Sequence, residues 1–222
     1  MRAPFRASHA TGMHAMSTAT ATHAPVNQKL RIAALRIAFL GTLPLILFSK
    51  SVWMDQHWIF ELMEVTGIAL IILAVLGRFW AVLYIGARKN AMVMQDGPYS
   101  MMRHPLYLFS TIGVAGFGMM LGSIVLTVAM TALFFTILSI TASKEEAFLR
   151  AEFGPAYDAY AARVPRIIPQ PSLFRTEGEV TFNVRTLRVN LQDALVFLAL
   201  IPLAEASEML KDYGLIPTFP LF

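Results

Sequence analysis

The fold is decided by the stretch PLYLFSTIGVAGFGMMLGSIVLTVAMTALFFTILSIT, residues 105–141, which contains no charged side chain. Gly122 divides it into two apolar runs, Pro105–Leu121 and Ser123–Thr141. At a rise of about 1.5 Å per residue, each run is about long enough as a helix to cross about 30 Å of hydrocarbon. The stretch therefore predicts a pair of membrane helices joined by a turn.

Similar apolar runs lie on both sides of this pair. Ile32–Phe48 and Trp58–Leu76 precede it, and both are long enough to span a bilayer. A shorter run, Ala194–Ala204, follows and contains Pro202. It crosses the membrane only if it extends over Leu191–Leu210, and otherwise lies on the membrane surface. The sequence thus predicts an all-α, polytopic membrane bundle with four to five spans.

The overall composition supports a membrane protein. Hydrophobic residues make up 56% of the 222 residues and charged residues 14%, and the mean hydropathy is +0.59. Soluble domains carry about 25% charged residues. These values exclude a disordered chain, and they argue against a soluble globule because the polar surface is too small. The chain has no cysteine, which excludes disulfides and thiolate metal sites.

The basic residues predict how the bundle is oriented. The connection between the second and third spans holds Arg78, Arg88, Lys89 and Arg103, and the segments before the first span and after the fourth are also basic. The other two connections hold Lys50 alone. Positive charge accumulates on the cytoplasmic side. We therefore predict a cytoplasmic N-terminus and place the two polar segments on the same side. Because the basic residues are scattered, we expect them to face anionic lipid and predict no nucleic-acid partner.

Four regions follow from these patterns. Residues 1–28 are of low complexity and predict a disordered tail, whose histidines have no spacing suited to a metal site. Residues 29–77 hold the first two spans, residues 78–170 hold the third and fourth spans with their polar flanks, and residues 171–222 form a C-terminal appendix. Candidate functional residues are concentrated in the third region.

The first polar segment ends in DGPYSMMRHPLY, residues 96–107. Gly-Pro-Tyr is a turn signal, and Pro105 suits the first turn of a helix because its missing N–H is not needed there. Arg103 and His104 then lie at the positive N-terminal end of a membrane helix, which favours anionic ligand groups. Alternatively, Arg103 contacts lipid headgroups and His104 only caps the helix.

The second polar segment continues the fourth span as a helix beyond the membrane surface and ends it at Gly154-Pro155. Glu145 lies four residues beyond the end of the apolar run, close to the membrane, where a charged group usually has a partner. Its carboxylate can accept hydrogen bonds from the hydroxyl or ammonium groups of a ligand. A second short helix, ending at Val164-Pro165, places Tyr157 and Tyr160 on roughly one face with Arg163. A merely solvated helix surface is the alternative interpretation.

These residues together resemble a known family. The ordered set is similar to the isoprenylcysteine carboxyl methyltransferases and their phospholipid N-methyltransferase relatives over residues 78–170. The set comprises Arg103-His104-Pro105, Tyr107, Glu145-Glu146, Phe153-Gly154, Tyr157, Tyr160 and Arg163-Val164-Pro165. The resemblance implies a membrane methyltransferase that binds S-adenosylmethionine in this region. A soluble dinucleotide-type fold receives no support, because no G-x-G-x-x-G motif follows a strand.

The resemblance also implies which residues contact the cofactor. Carried over by motif, they are Tyr99, His104, Pro105, Leu106, Tyr107 and Glu145, with Ala91, Met92, Val93 and Met94 contributing mainly backbone. Arg103 and Thr141 are the positions expected to contact the methyl acceptor. At the position of Thr141 the isoprenylcysteine enzymes carry an arginine that contacts substrate. This departure predicts a lipid-like acceptor and argues against a free carboxylate on it.

The sequence identifies no catalytic residue. Methyl transfer from a sulfonium depends mainly on alignment and on exclusion of water, and a carboxylate nucleophile needs no base. Two other functions compete. A membrane NADPH-dependent sterol-type reductase carries a similar His-Pro-x-Tyr, but Leu106 and Leu108 replace its typical neighbours of that tyrosine. A transporter or structural membrane protein would carry polar residues inside the spans, where this chain has few.

Overall fold

The computed structural model describes residues 28–85, 92–180, 182 and 184–221. The predicted disordered tail therefore lies outside the described residues, except for Gln28, where the first helix begins. Ala91, a predicted cofactor contact, lies outside them as well.

The described part of the chain is mostly helical, as predicted. Its α-helices are α1 (Gln28–Phe48), α2 (His57–Ile85), α3 (Pro98–Met101), α4 (Pro105–Met120), α5 (Ile124–Phe153), α6 (Pro155–Arg163) and α7 (Val184–Asp212). Short 3-10 turns occur at Val52–Asp55 and Pro171–Leu173. Two short strands, β1 (Ser49–Ser51) and β2 (Phe219–Leu221), pair in parallel. This small pairing is a departure from the all-α prediction.

Three of these helices, α1 from Lys29, α2 and α5, are long and apolar enough to cross a membrane. The fourth predicted span, α4, is a shorter apolar helix of 16 residues. The helix α7 is continuous and longer than the predicted run, and it includes the charged residues Glu205, Glu208 and Lys211. Although its 29 residues are enough to cross a membrane, it is not among the helices of the described residues that are apolar enough to do so. The chain is thus a membrane-type helical bundle, and the number of crossings stays a prediction.

One predicted boundary was wrong. Arg78 was assigned to the polar connection after the second span, whereas α2 continues through it to Ile85. The reason is local. The residues from Phe79 to Ile85 are apolar and include no glycine or proline, so nothing ends the helix at the charge. Arg78 therefore lies inside the bundle.

The centre of the bundle is the contact between α2 and α4. A Cβ atom on Gly67 would lie 2.6 Å from the carbonyl oxygen of Gly116, so the two backbones meet there because both residues are glycine. Close approach through small residues is typical of membrane helix pairs. Ile71, Phe117 and Met130 form the core around this contact, and Phe197 from α7 packs against it.

The helix ends follow the predicted local signals. Pro105 is the first residue of α4. Gly122 adopts a φ of +63° at the turn before α5, whose N-cap is Ser123. Gly154, with a φ of +51°, ends α5, and Pro155 begins α6. These glycines adopt the left-handed region that other residues avoid, so the hairpin and the short helix that carries the tyrosines are fixed by sequence.

Candidate active site

The two polar segments meet above the N-terminus of α4. The backbone N–H of Arg103 donates to the carbonyl of Pro165 at 2.9 Å, and that of His104 donates to Arg166 at 3.1 Å. The N–H of Gln170 donates to Met101 at 3.1 Å. The two segments are therefore joined by backbone hydrogen bonds, and their sharing of one functional site stays a prediction.

The tyrosines of α6 lie beneath this junction. The rings of Tyr157 and Tyr160 are buried and meet edge to face at 6.0 Å. The Tyr160 hydroxyl donates to the carbonyl of Tyr99 at 2.8 Å. Arg163, which the sequence placed on the same face, is instead exposed and donates to the side chain of Gln95 at 3.0 Å. The tyrosine pair thus supports the site, and Arg163 lies outside it.

Glu146 is the centre of a charged cluster. His104 Nε2 lies 2.9 Å from Glu146 Oε1, and the guanidinium groups of Arg103 and Arg166 lie 3.4 and 3.3 Å from the same oxygen. The Glu146 side chain is only 13% exposed. We call these four residues the Glu146 cluster. In the sequence, Glu146 is marked only as part of the Glu145-Glu146 pair of the motif, and nothing marks Arg166, which lies 20 residues further along the chain.

The Glu145 side chain, unlike that of Glu146, points toward Arg31 on α1. Its carboxylate lies 3.7 Å from Arg31 Nη1 and 4.0 Å from His104 Nδ1. Arg31 also donates to the Tyr107 hydroxyl at 3.1 Å, and the rings of Tyr107 and His104 stack at 5.4 Å. Sequence reasoning counted Arg31 only among the basic residues that set orientation. A cation at the start of an apolar run was the signal that could have identified it.

A cavity of about 950 Å³ joins this site to the interior of the bundle. At the surface its polar lining is Tyr99, Arg103, His104, Tyr107, Glu145, Tyr157 and Tyr160. Deeper in the bundle its lining is mostly apolar and includes Phe117, Met130, Phe134, Leu138, Leu200 and Leu203. Phe117 lies twelve residues beyond Pro105 on α4, so the cavity extends about 18 Å along that helix.

The structure brings most of the predicted site residues to this cavity. In the described part of the chain, those that line it are Met92, Val93, Met94, Tyr99, Arg103, His104, Pro105, Leu106, Tyr107 and Glu145. Thr141 is not among the lining residues. It is buried, and its hydroxyl donates to the carbonyl of Ile137 at 2.8 Å.

Burial keeps the tyrosines of the site protonated. Burial, together with the neighbouring Tyr160, raises the pKa of the Tyr99 hydroxyl well above its usual value. Burial and the neighbouring Tyr157 raise the pKa of Tyr160 in the same direction. Both hydroxyls therefore stay protonated at neutral pH and well into the alkaline range, so each can donate a hydrogen bond.

Comparison with known proteins identifies the class. The model of the phospholipid methyltransferase family matches residues 62–156, which include the hairpin of α4 and α5 and both glutamates of the site. The protein-S-isoprenylcysteine O-methyltransferase of Schizosaccharomyces pombe is 35% identical over 81 residues, which cover 36% of this chain and 34% of that protein. No solved structure matches the chain.

Two bacterial relatives match over most of their length. The cobalt-zinc-cadmium resistance protein CzcN of Cupriavidus metallidurans is 34% identical over 186 residues, or 84% of this chain and 85% of that protein. The nickel-cobalt-cadmium resistance protein NccN of Alcaligenes xylosoxydans xylosoxydans is 35% identical over 191 residues, or 86% and 89%. The chain belongs to the phospholipid methyltransferase family, in the isoprenylcysteine methyltransferase-like group that also contains these relatives.

Proposed function

We propose that the protein is a membrane-embedded methyltransferase that uses S-adenosylmethionine and acts on a lipophilic acceptor. The observation that carries this proposal is the cavity. It connects a polar pocket, lined by the residues of the family motif, to an apolar interior between membrane helices. One pocket of this kind suits both a polar nucleoside cofactor and an apolar acceptor.

The polar end fits the cofactor chemically. The Tyr99 hydroxyl is buried in the cavity wall and has no hydrogen-bond partner among the residues that the structure describes. A buried donor of this kind is costly unless a ligand supplies an acceptor. Glu145 offers a carboxylate for ribose hydroxyls or an ammonium group, and Tyr157 and Tyr160 offer aromatic walls for an adenine. When bound, S-adenosylmethionine would supply an electrophilic methyl group.

The protein's own contribution is alignment and exclusion of water. The Glu146 cluster holds His104 in place at the mouth of the cavity, and the Arg31–Tyr107 hydrogen bond closes its side toward α1. Alignment of the reacting groups and removal of water are the main requirements of this displacement. An acceptor carboxylate would need no base, whereas an amine or a hydroxyl would need one.

The acceptor's route follows from the exposed part of the cavity lining. Leu40 on α1 and Val196 on α7 line the cavity and are 62% and 61% exposed, and Leu203 is 49% exposed. The apolar end is therefore open to the side of the bundle, where lipid would lie. A lipophilic acceptor can enter there with its chain kept in hydrocarbon.

The first test is cofactor binding. We expect purified protein to bind radiolabelled S-adenosylmethionine and NADPH not to displace it. We expect Glu145→Gln to weaken this binding about 10- to 100-fold, or about 1.5–3 kcal/mol, the range for a hydrogen bond to a charged group. Glu152→Gln, an exposed carboxylate on the same helix, is the control and should bind normally. Wild-type protein that binds only NADPH would overturn the proposal, and unchanged binding by Glu145→Gln would exclude Glu145 from the site.

The second test is orientation, which the basic connections predict as cytoplasmic for the N-terminus and for residues 142–190. An alkaline phosphatase that is active only outside the cytoplasm is fused after Pro169. We expect no phosphatase activity there and full activity for a fusion after Lys50, in the connection predicted on the opposite side. The reverse pattern would leave the site without access to a cytosolic cofactor and would contradict this topology.

A further inference from the structure

A second level of polar side chains lies deeper in the cavity than the proposed cofactor residues. Arg36, Arg78 and Ser110 all line it, and we call them the arginine layer. Ser110 follows Pro105 by five residues on α4, and Arg36 follows Arg31 by five residues on α1. Both therefore lie about 7.5 Å along their helices from the level of the Glu146 cluster and Arg31. Deeper still, the lining becomes apolar.

The side chain of Arg78 is held in a defined orientation within this layer. Its Nη1 donates to the Ser110 hydroxyl, and that hydroxyl donates to the carbonyl of Leu106 at 2.6 Å. The guanidinium also lies over the Phe197 ring, 5.6 Å from the centroid. A guanidinium in apolar surroundings is costly, and in membrane segments such residues mark ligand sites or ion pairs. Its planar fork is suited to carboxylate and phosphate oxygens.

We propose that Arg78 binds an acidic headgroup on the acceptor. This inference rests on the proposed function and specifies its substrate class as a single-headed amphiphile that carries a carboxylate or a phosphate. The headgroup then lies at the arginine layer, between the proposed cofactor residues and the apolar end, and the chain fills the space around Phe117 and Met130. Arg36 adds positive charge from α1 at the same level.

Arg78 also changes the interpretation of Thr141. The missing arginine at that position argued against an acidic acceptor. Since Arg78 on α2 places a guanidinium in the same cavity, an acidic group has a cationic partner that does not depend on α5. The sequence did not predict this cationic partner, because Arg78 was expected to lie in a polar connection and not within a helix.

The test compares 16-carbon amphiphiles that differ only in headgroup. Radiolabelled palmitate, hexadecyl phosphate and hexadecylamine are bound to purified full-length wild-type protein, Arg78→Gln, Arg78→Lys and Arg163→Gln. Binding of S-adenosylmethionine is measured on the same samples. We expect wild type to prefer an acid over the amine and Arg78→Gln to lose about tenfold or more of that affinity. Arg78→Lys should recover part of it, and Arg163→Gln, which lies outside the cavity, should behave as wild type.

Each outcome has a defined meaning. Tighter binding of hexadecyl phosphate assigns the headgroup as a phosphate, and tighter binding of palmitate assigns it as a carboxylate. Equal binding of acid and amine by the wild type, or an unchanged preference in Arg78→Gln, overturns the inference even where S-adenosylmethionine binds normally. Loss of S-adenosylmethionine binding in the wild type would instead contradict the proposed function, so the two failures are distinguishable.

Discussion

Replacing Glu146 with alanine is expected to lower the free energy of unfolding by about 3 kcal/mol. The change leaves His104, Arg103 and Arg166 without the carboxylate oxygen that all three approach. Removing one partner from a buried charged group costs about 3–5 kcal/mol, and we take the lower end because the Arg166 side chain is 36% exposed. Thermal unfolding of the detergent-purified protein measures this loss.

Two control variants distinguish the stabilising effect of the Glu146 cluster from that of an ordinary surface charge. Glu152→Ala removes an exposed carboxylate from the same helix and should change the free energy of unfolding by less than about 0.5 kcal/mol. Glu146→Gln keeps an oxygen for the His104 hydrogen bond but removes the charge, so its loss should be intermediate. If Glu146→Ala unfolds like Glu152→Ala, the cluster does not stabilise the junction of the two polar segments.

The two neighbouring glutamates therefore have different expected phenotypes. Glu145 lines the cavity and Glu146 does not, so Glu145→Gln should affect cofactor binding with little loss of stability. Glu146 points about 100° away from Glu145 on the helix. The structure shows what lies in that direction: Arg103, His104 and Arg166.

The sequence predicted best those features that local chemistry determines. The proline that begins α4, the glycine at Gly122 and the Gly154-Pro155 stop all act within one turn of the chain. For α1, α2, α4 and α5, the apolar runs predicted the position of at least one helix end to within a few residues. Several residues of the family motif line the polar pocket, since that pocket is built by the hairpin and its flanks, and their contact with a cofactor stays a prediction.

The missed features all depend on contacts between distant segments. Arg31 reaches the site from α1 and Arg166 from the segment after α6, each by tertiary packing alone. Arg78 was misplaced because its charge was taken to end the span, although the helix continues and buries it against α4 and α7. No pattern in the sequence predicts that Arg31, Arg78 and Glu145 line one cavity.

The length of the acceptor's chain is expected to have the largest effect on methyl transfer. The apolar part of the cavity lies beyond the arginine layer and is open beside Leu40 and Leu203. A chain that occupies it leaves water, and each methylene removed from water contributes about 0.8 kcal/mol. That is about a fourfold change in affinity per methylene, when affinity is expressed against the free monomer in water.

We therefore expect kcat/KM to fall steeply as an acceptor series with one headgroup is shortened from 16 to 8 carbons. The full transfer free energy over eight methylenes sets an upper limit of about 5 × 10⁴-fold. Activity should also appear with membrane lipid extracts. The chain should act mainly through KM, because it lies away from the reacting group, while the headgroup and Glu145 act at the polar end of the cavity. Rapid turnover of a small water-soluble acceptor, with no dependence on chain length, would show that the apolar cavity is not the acceptor site and that the acceptor reaches the pocket through its polar mouth.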